Sequence, residues 1–180
     1  MRYPEHQKAE TRQRIVHSAA SALRSEGLDG ISVPGLMKRA GLTHGGFYSH
    51  FKNREHLVAE AVLAAAHETS KRVFQGAESL DALKARYLSR EHALHPEGGC
   101  VIAALGTEGR RQSEIVRHAF SVAASGLVKL VDQASPQGQD GDTPSDEALR
   151  TTSLMLGAVI LARLVEDETL AARVLEVCRR

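Results

Sequence analysis

The sequence predicts an all-α fold of about nine helices, and three observations carry that prediction. No run shows the apolar–polar alternation and β-branched enrichment of a strand; Ala and Leu dominate instead. Apolar residues recur at three- and four-residue spacing along most of the 180-residue chain. Between those stretches stand residues that start and stop helices, with Ser, Thr or Asn before them and Gly after.

The first helix is expected over residues 11–26. Ile15, Ala19, Ala22 and Leu23 form its apolar stripe, and Gly27 ends it. Ser32 is an N-cap for a short second helix with an inward face of Val33, Leu36, Met37 and Ala40. Pro34 fits its first turn, and Gly41 ends it. Thr43 is read as the cap of a third helix, on which Phe47 and Phe51 lie four residues apart. Asn53 caps a fourth helix, whose stripe of Leu57, Val58, Ala61, Val62 and Ala65 extends to about Phe74.

Beyond Gly76 one helix is expected over 79–92 and a loop over 95–99. A short helix then starts near Cys100, and another runs from about 113 to 133. The segment 135–144, SPQGQDGDTP, reads as a loop. Two final helices over 145–166 and 169–179 carry stripes of Leu149, Leu156, Ile160 and Leu164, then Leu170, Val174 and Val177.

The bulk numbers exclude several classes. Apolar residues make up 42% and charged residues 25%, a soluble balance. The N-terminus is polar with no apolar run behind it, and the most apolar stretch, 154–165, is broken by Gly157 and Arg163. The chain is therefore expected in the cytoplasm, with no membrane span. Two cysteines, Cys100 and Cys178, are too few for a disulfide scaffold. The net charge of +1 hides an asymmetry: residues 1–56 hold nine Lys and Arg against five Asp and Glu. That basic front half points weakly to a polyanionic partner.

Residues 32–57 carry the functional reading. In Arg39-Ala40-Gly41-Leu42-Thr43 a glycine permits a sharp turn, Leu42 plugs the core beneath it, and a new helix starts at once. That is a helix-turn-helix. The second helix reads His44-Gly45-Gly46-Phe47-Tyr48-Ser49-His50-Phe51. Adjacent glycines at a helix start suit close approach of the backbone to a DNA backbone or base edge. A helix this short can enter a major groove N-terminus first.

The stretch from Ser32 through Ala40-Gly41-Leu42-Thr43, Gly45, Phe47-Tyr48 and His50-Phe51-Lys52-Asn53-Arg54-Glu55 to Leu57 resembles the N-terminal signature of the TetR family of bacterial repressors. Ile15, Ala19-Ala20, Leu23 and Glu26-Gly27 extend it. Met37, Pro34 and Gly35 depart from the usual pattern. The resemblance implies a helix-turn-helix DNA-binding domain over 1–56 and an effector-binding and dimerisation domain over 57–180. It implies a homodimeric transcriptional repressor on a palindromic double-stranded operator, with no enzymatic activity, cofactor or metal. Ser32, Thr43, Tyr48, His50 and Arg54 would contact phosphates; His44, Gly45 and Gly46 would face base edges; Val33 and Lys38 complete the candidate DNA site.

The second half offers a candidate effector pocket of Tyr87, His92, Cys100, Leu105, Glu108, Phe120 and Ala124. Cys100 follows two glycines at an expected helix start, where the helix dipole favours a thiolate. The segment from Gly99 to Glu108 resembles one found in TetR-family members that sense electrophiles or oxidants. The effector is thus expected to be a small molecule or a thiol-modifying reagent acting at Cys100. An enzyme using Cys100 as nucleophile, His92 or His95 as base and Glu108 as orienter is the alternative, but no catalytic signature surrounds these residues.

Overall fold

A computed structural model describes residues 5–135 and 143–180, and every regular element among them is helical. Nine α-helices follow in order: α1 (Glu5–Glu26), α2 (Val33–Arg39), α3 (Arg54–Thr69), α4 (Leu80–Tyr87), α5 (Arg90–Leu94), α6 (Val101–Gly109), α7 (Glu114–Ala134), α8 (Asp146–Leu164) and α9 (Glu168–Arg179). Among the described residues there are also two short 310 helices, His44–Ser49 and Pro96–Gly98, and a π-helical turn, Ser70–Phe74, that closes α3. Most of the expected loop over 135–144 lies outside the described residues.

Ser32 and Asn53 cap as expected, and Ser145 does the same at the start of α8. Ser32, Asn53 and Ser145 accept hydrogen bonds from the backbone N–H three residues on, at 3.2, 3.0 and 3.2 Å. Each satisfies a donor that the first helical turn leaves without a partner. Gly41, at φ +72°, makes the turn after α2, and Leu42 N–H closes it on the Met37 carbonyl at 2.8 Å. A β-carbon is strained in that backbone region.

Four expectations need correction. Helix α1 starts at Glu5, not residue 11; its first turns are polar and carry no apolar stripe to betray them. The third helix is a 310 helix, and Thr43 precedes it without a side-chain cap bond, because Gly45-Gly46 weaken an α-helical turn. The helix expected over 79–92 is two helices, interrupted at Leu88–Ser89. Ser89 caps the second by accepting from His92 N–H at 3.1 Å. The regular part of the fourth helix ends at Thr69, ahead of the π turn.

Two apolar cores meet along α6 and α7. The first joins Ile15, Leu23, Met37, Phe47, Phe51, Leu57 and Val62 to Val101, Leu105, Val116 and Phe120. The second joins Leu83, Tyr87, Leu88, Cys100 and Ala103 to Leu127, Val131, Met155 and Leu175. The first half of α7 thus serves one core and the second half the other. No helix of the described residues is long and apolar enough to cross a membrane.

Candidate functional site

The helix-turn-helix separates its residues by face. Phe47 and Phe51 stack with ring centroids 5.6 Å apart, and both are buried. Arg12 of α1 covers Phe51 from outside, 4.8 Å from the ring centroid, and pairs with Glu60. Tyr48, between the two phenylalanines, is 69% exposed. Its phenolic hydroxyl can both donate and accept a hydrogen bond. Its ring lies 6.4 Å from that of His44, which is also exposed. Ser32, Lys38, Thr43 and Gly45 are exposed as well.

Other predicted contact residues are placed differently. Val33 is half-buried and packs on the first core. Gly46 is half-buried, and a β-carbon there would sit 3.7 Å from the Met37 terminal methyl. His50 is half-buried; its carbonyl accepts from Arg12 Nε at 3.4 Å. Burial first, then the Lys8 and Arg12 charges, lower its pKa below 6.5. Arg54 turns inward and donates to the Leu28 carbonyl. Its guanidinium is therefore spent, at least in part, within the fold.

The same residue is held through its amide as well. Leu28 N–H donates to Glu108 Oε2 of α6 at 2.9 Å. The α1–α2 loop is thus gripped by α6 through its N–H and by the start of α3 through its carbonyl. Glu108 was expected in an effector pocket and is placed here instead. Leu105 and Phe120 belong to the first core. Tyr87 is wholly buried in the second core, its ring against that of His92 at 4.5 Å.

His92 spends both ring nitrogens on backbone groups. Nδ1 donates to the Tyr87 carbonyl at 2.5 Å, and Nε2 accepts from Cys100 N–H at 2.9 Å. This requires the neutral Nδ1–H tautomer. Burial, with smaller contributions from the Arg163 and Arg72 charges, lowers its pKa to about 4, against the opposing bond to Tyr87. Neither nitrogen is left for His92 to act as base for Cys100.

The Gly98-Gly99-Cys100 segment is clamped on every side. Thr69 Oγ1 and Arg24 Nη1 donate to the Gly99 carbonyl at 2.9 and 3.3 Å, and Arg72 donates to that of Gly98. Arg24, nearly buried, also pairs with Glu68 at 2.7 Å. Behind Cys100 the Tyr87 hydroxyl is enclosed without a hydrogen bond to nitrogen or oxygen among the described residues. Burial, and then the adjacent thiol, raise its pKa well above 10. Arg163 of α8 lies close by and donates to the Ala93 and His92 carbonyls at 2.9 and 3.0 Å.

Cys100 also lines a cavity of about 310 Å³ between α3, α6 and α7. Its floor is Phe74, Val101, Ile102, Ala123 and Leu127; Leu63, His67 and Ser70 stand on the α3 side, and Val122, Gly126, Lys129 and Gln133 on the α7 side. Of the seven residues expected in a pocket, Cys100 alone lines this one; Ala124 sits beside the lining residue Ala123 without belonging to it. The sequence reading missed His67 and Lys129. The helical spacing of Leu63, Ala66 and His67 on α3, continued by Ser70 of the π turn, was the available signal for the first.

Comparison with known proteins follows the same lines. The model for bacterial regulatory proteins of the tetR family matches residues 15–61. An uncharacterized HTH-type transcriptional regulator of Mycobacterium tuberculosis (strain ATCC 25618 / H37Rv) is 28% identical over 168 residues, covering 88% of this chain and 87% of its own. The HTH-type transcriptional repressor NemR of Escherichia coli (strain K12) is 25% identical over 173 residues, with the same 88% and 87% coverage. The crystal structure of reduced E. coli NemR shares the fold, with a TM-score of 0.74 at 24% identity over 94% of this chain and 93% of that one.

Proposed function

The chain belongs to the TetR family of DNA-binding transcriptional regulators, and on that premise we propose that it is a homodimeric repressor released from a palindromic operator by an effector bound at the Cys100 cavity. Residues 1–56 form the reading head in this account, and 57–180 bind the effector and the second subunit. The observation that carries the reading is the exposure of Tyr48 between two buried phenylalanines, beside exposed Thr43 and His44. These residues, with Ser32 and Lys38, are assigned to the DNA. Phosphate contacts would dominate affinity and weaken it with salt.

Exposed apolar residues on the last two helices support the dimer. Leu154, Leu161 and Leu164 of α8 and Leu170 and Val177 of α9 are 47–75% exposed. Two such helices per subunit suit a four-helix interface about a two-fold axis. Helix α3 supports the coupling, since it starts at the reading head and its far half walls the cavity. Helix α6 provides a second route, from Val101 and Ile102 in the cavity to Glu108 at Leu28. Cys100 in the cavity wall makes thiol modification one way to bias these helices.

Tyr48→Ala tests the docking. It should weaken binding to a selected operator roughly ten- to a hundredfold, the loss of one bond of about 1.5–3 kcal/mol to a charged group. Thermal stability should stay within about 0.5 kcal/mol, as for other exposed positions. Unchanged affinity would overturn the assigned interface.

A further inference from the structure

The charge of the groups lining the cavity between α3, α6 and α7 points to the chemistry it suits. Besides the Cys100 thiol, the ionisable groups that line it are His67 and Lys129, and neither Asp nor Glu is among the lining residues. His67 stands on the α3 wall and Lys129 on the α7 wall. Neither makes an ion pair or side-chain hydrogen bond among the described residues, although Glu68, next to His67, is taken by Arg24 and His17. Ser70 and Gln133 add a hydroxyl and an amide nearby, above a floor of Phe74, Ile102 and Leu127. The site is thus apolar below and cationic or hydrogen-bonding above.

Gly126 is an independent sign that the space is kept open. It lies in the interior of the 21-residue helix α7 and lines the cavity, and a β-carbon there would meet nothing within 4 Å. Glycine in a helix interior costs roughly 0.5–1 kcal/mol relative to alanine. Packing does not demand it at this position, on the exposed rim of the cavity.

We propose that the cavity binds a small amphipathic carboxylate, its apolar body on Phe74, Ile102 and Leu127 and its carboxylate between Lys129 and His67. The volume of about 310 Å³ sits at the small end of ligand sites and suits a medium-length acyl chain or a single ring rather than a polycyclic molecule. Lys129 and His67 are exposed at the rim, above buried Val101, Ala123 and Leu127, and the ammonium there gives the selectivity, because a neutral amide or alcohol of the same length forgoes the charge-assisted bond. The proposal rests on the effector reading for its purpose, but the ligand class is tested separately from the release of DNA.

The full-length protein is titrated calorimetrically at pH 7 with octanoate, octanamide and 1-octanol, and the same titrations are repeated on Lys129→Gln and Gly126→Leu. Octanoate should bind about two- to fivefold more tightly than either neutral analogue, the range of an exposed ion pair. Lys129→Gln should lose most of that preference while keeping its thermal stability. Gly126→Leu should fold at least as stably as the parent and lose octanoate binding. Equal binding of octanoate and octanamide overturns the carboxylate assignment, and undiminished binding to Gly126→Leu overturns the location. Absence of octanoate binding to the parent protein overturns the proposal as a whole. Octanoate that binds as described while operator affinity stays unchanged upholds the ligand class and counts instead against release by an effector at this cavity.

Discussion

Replacing Glu108 by alanine removes the one side-chain acceptor that the structure gives to Leu28 N–H. The bond is 2.9 Å long, Leu28 itself is fully buried, and its carbonyl is already held by Arg54. A buried N–H left without a partner costs about 1–3 kcal/mol, and a carboxylate acceptor places this bond among the stronger ones. We expect a loss of about 2 kcal/mol. For a chain of this length each kcal/mol moves the midpoint by about 2–4 °C, so Tm should fall by about 4–8 °C. Glu108→Gln keeps an acceptor oxygen and should lose less than half as much. Both are compared with the parent by thermal unfolding at one fixed protein concentration, since an oligomer's midpoint depends on concentration. An alanine variant within about 0.5 kcal/mol of the parent would refute the grip, as would a glutamine variant no better than alanine.

Two further outcomes follow from the neighbouring residues. His92 has a pKa of about 4 in the fold against 6.5 when unfolded, so the unfolded chain binds the proton more readily. Stability should therefore fall as pH drops from about 6.5 to 4, by up to about 1.4 kcal/mol per pH unit, with half-buried His50 adding in the same sense. Urea unfolding across that window checks it, and His92→Gln should flatten the slope; an unchanged slope contradicts the assignment. Cys100→Ser should bind operator like the parent and lose any release by N-ethylmaleimide, measured by fluorescence anisotropy. Release that persists in the serine variant removes Cys100 from the account.

The helix-turn-helix was legible because its signals are local. Ser32, Gly41 and Asn53 act within three or four residues of themselves, and the Phe47–Phe51 spacing needs no knowledge of the rest of the fold. The cavity was not legible for the opposite reason. Its walls come from α3, α6 and α7, with His67 and Lys129 some sixty positions apart in sequence, and no periodicity says which faces of those helices will leave space between them. Glu108 and Arg54 show a related difficulty. A charged residue near a functional segment reads as a contact to a partner, yet both reach back to the backbone of Leu28. The break at Leu88–Ser89 was signalled by Ser89 itself, but a serine is tolerated inside a helix as well as at its start.

The central claim is that two copies of this reading head recognise one DNA site. Selection of bound duplexes from a random pool by the full-length purified protein tests it most directly. An inverted repeat should be enriched, with half-sites about one helical turn apart or a multiple of it, and that enrichment should be lost with Tyr48→Ala. A pool that stays random, or a single unrepeated half-site, would contradict it.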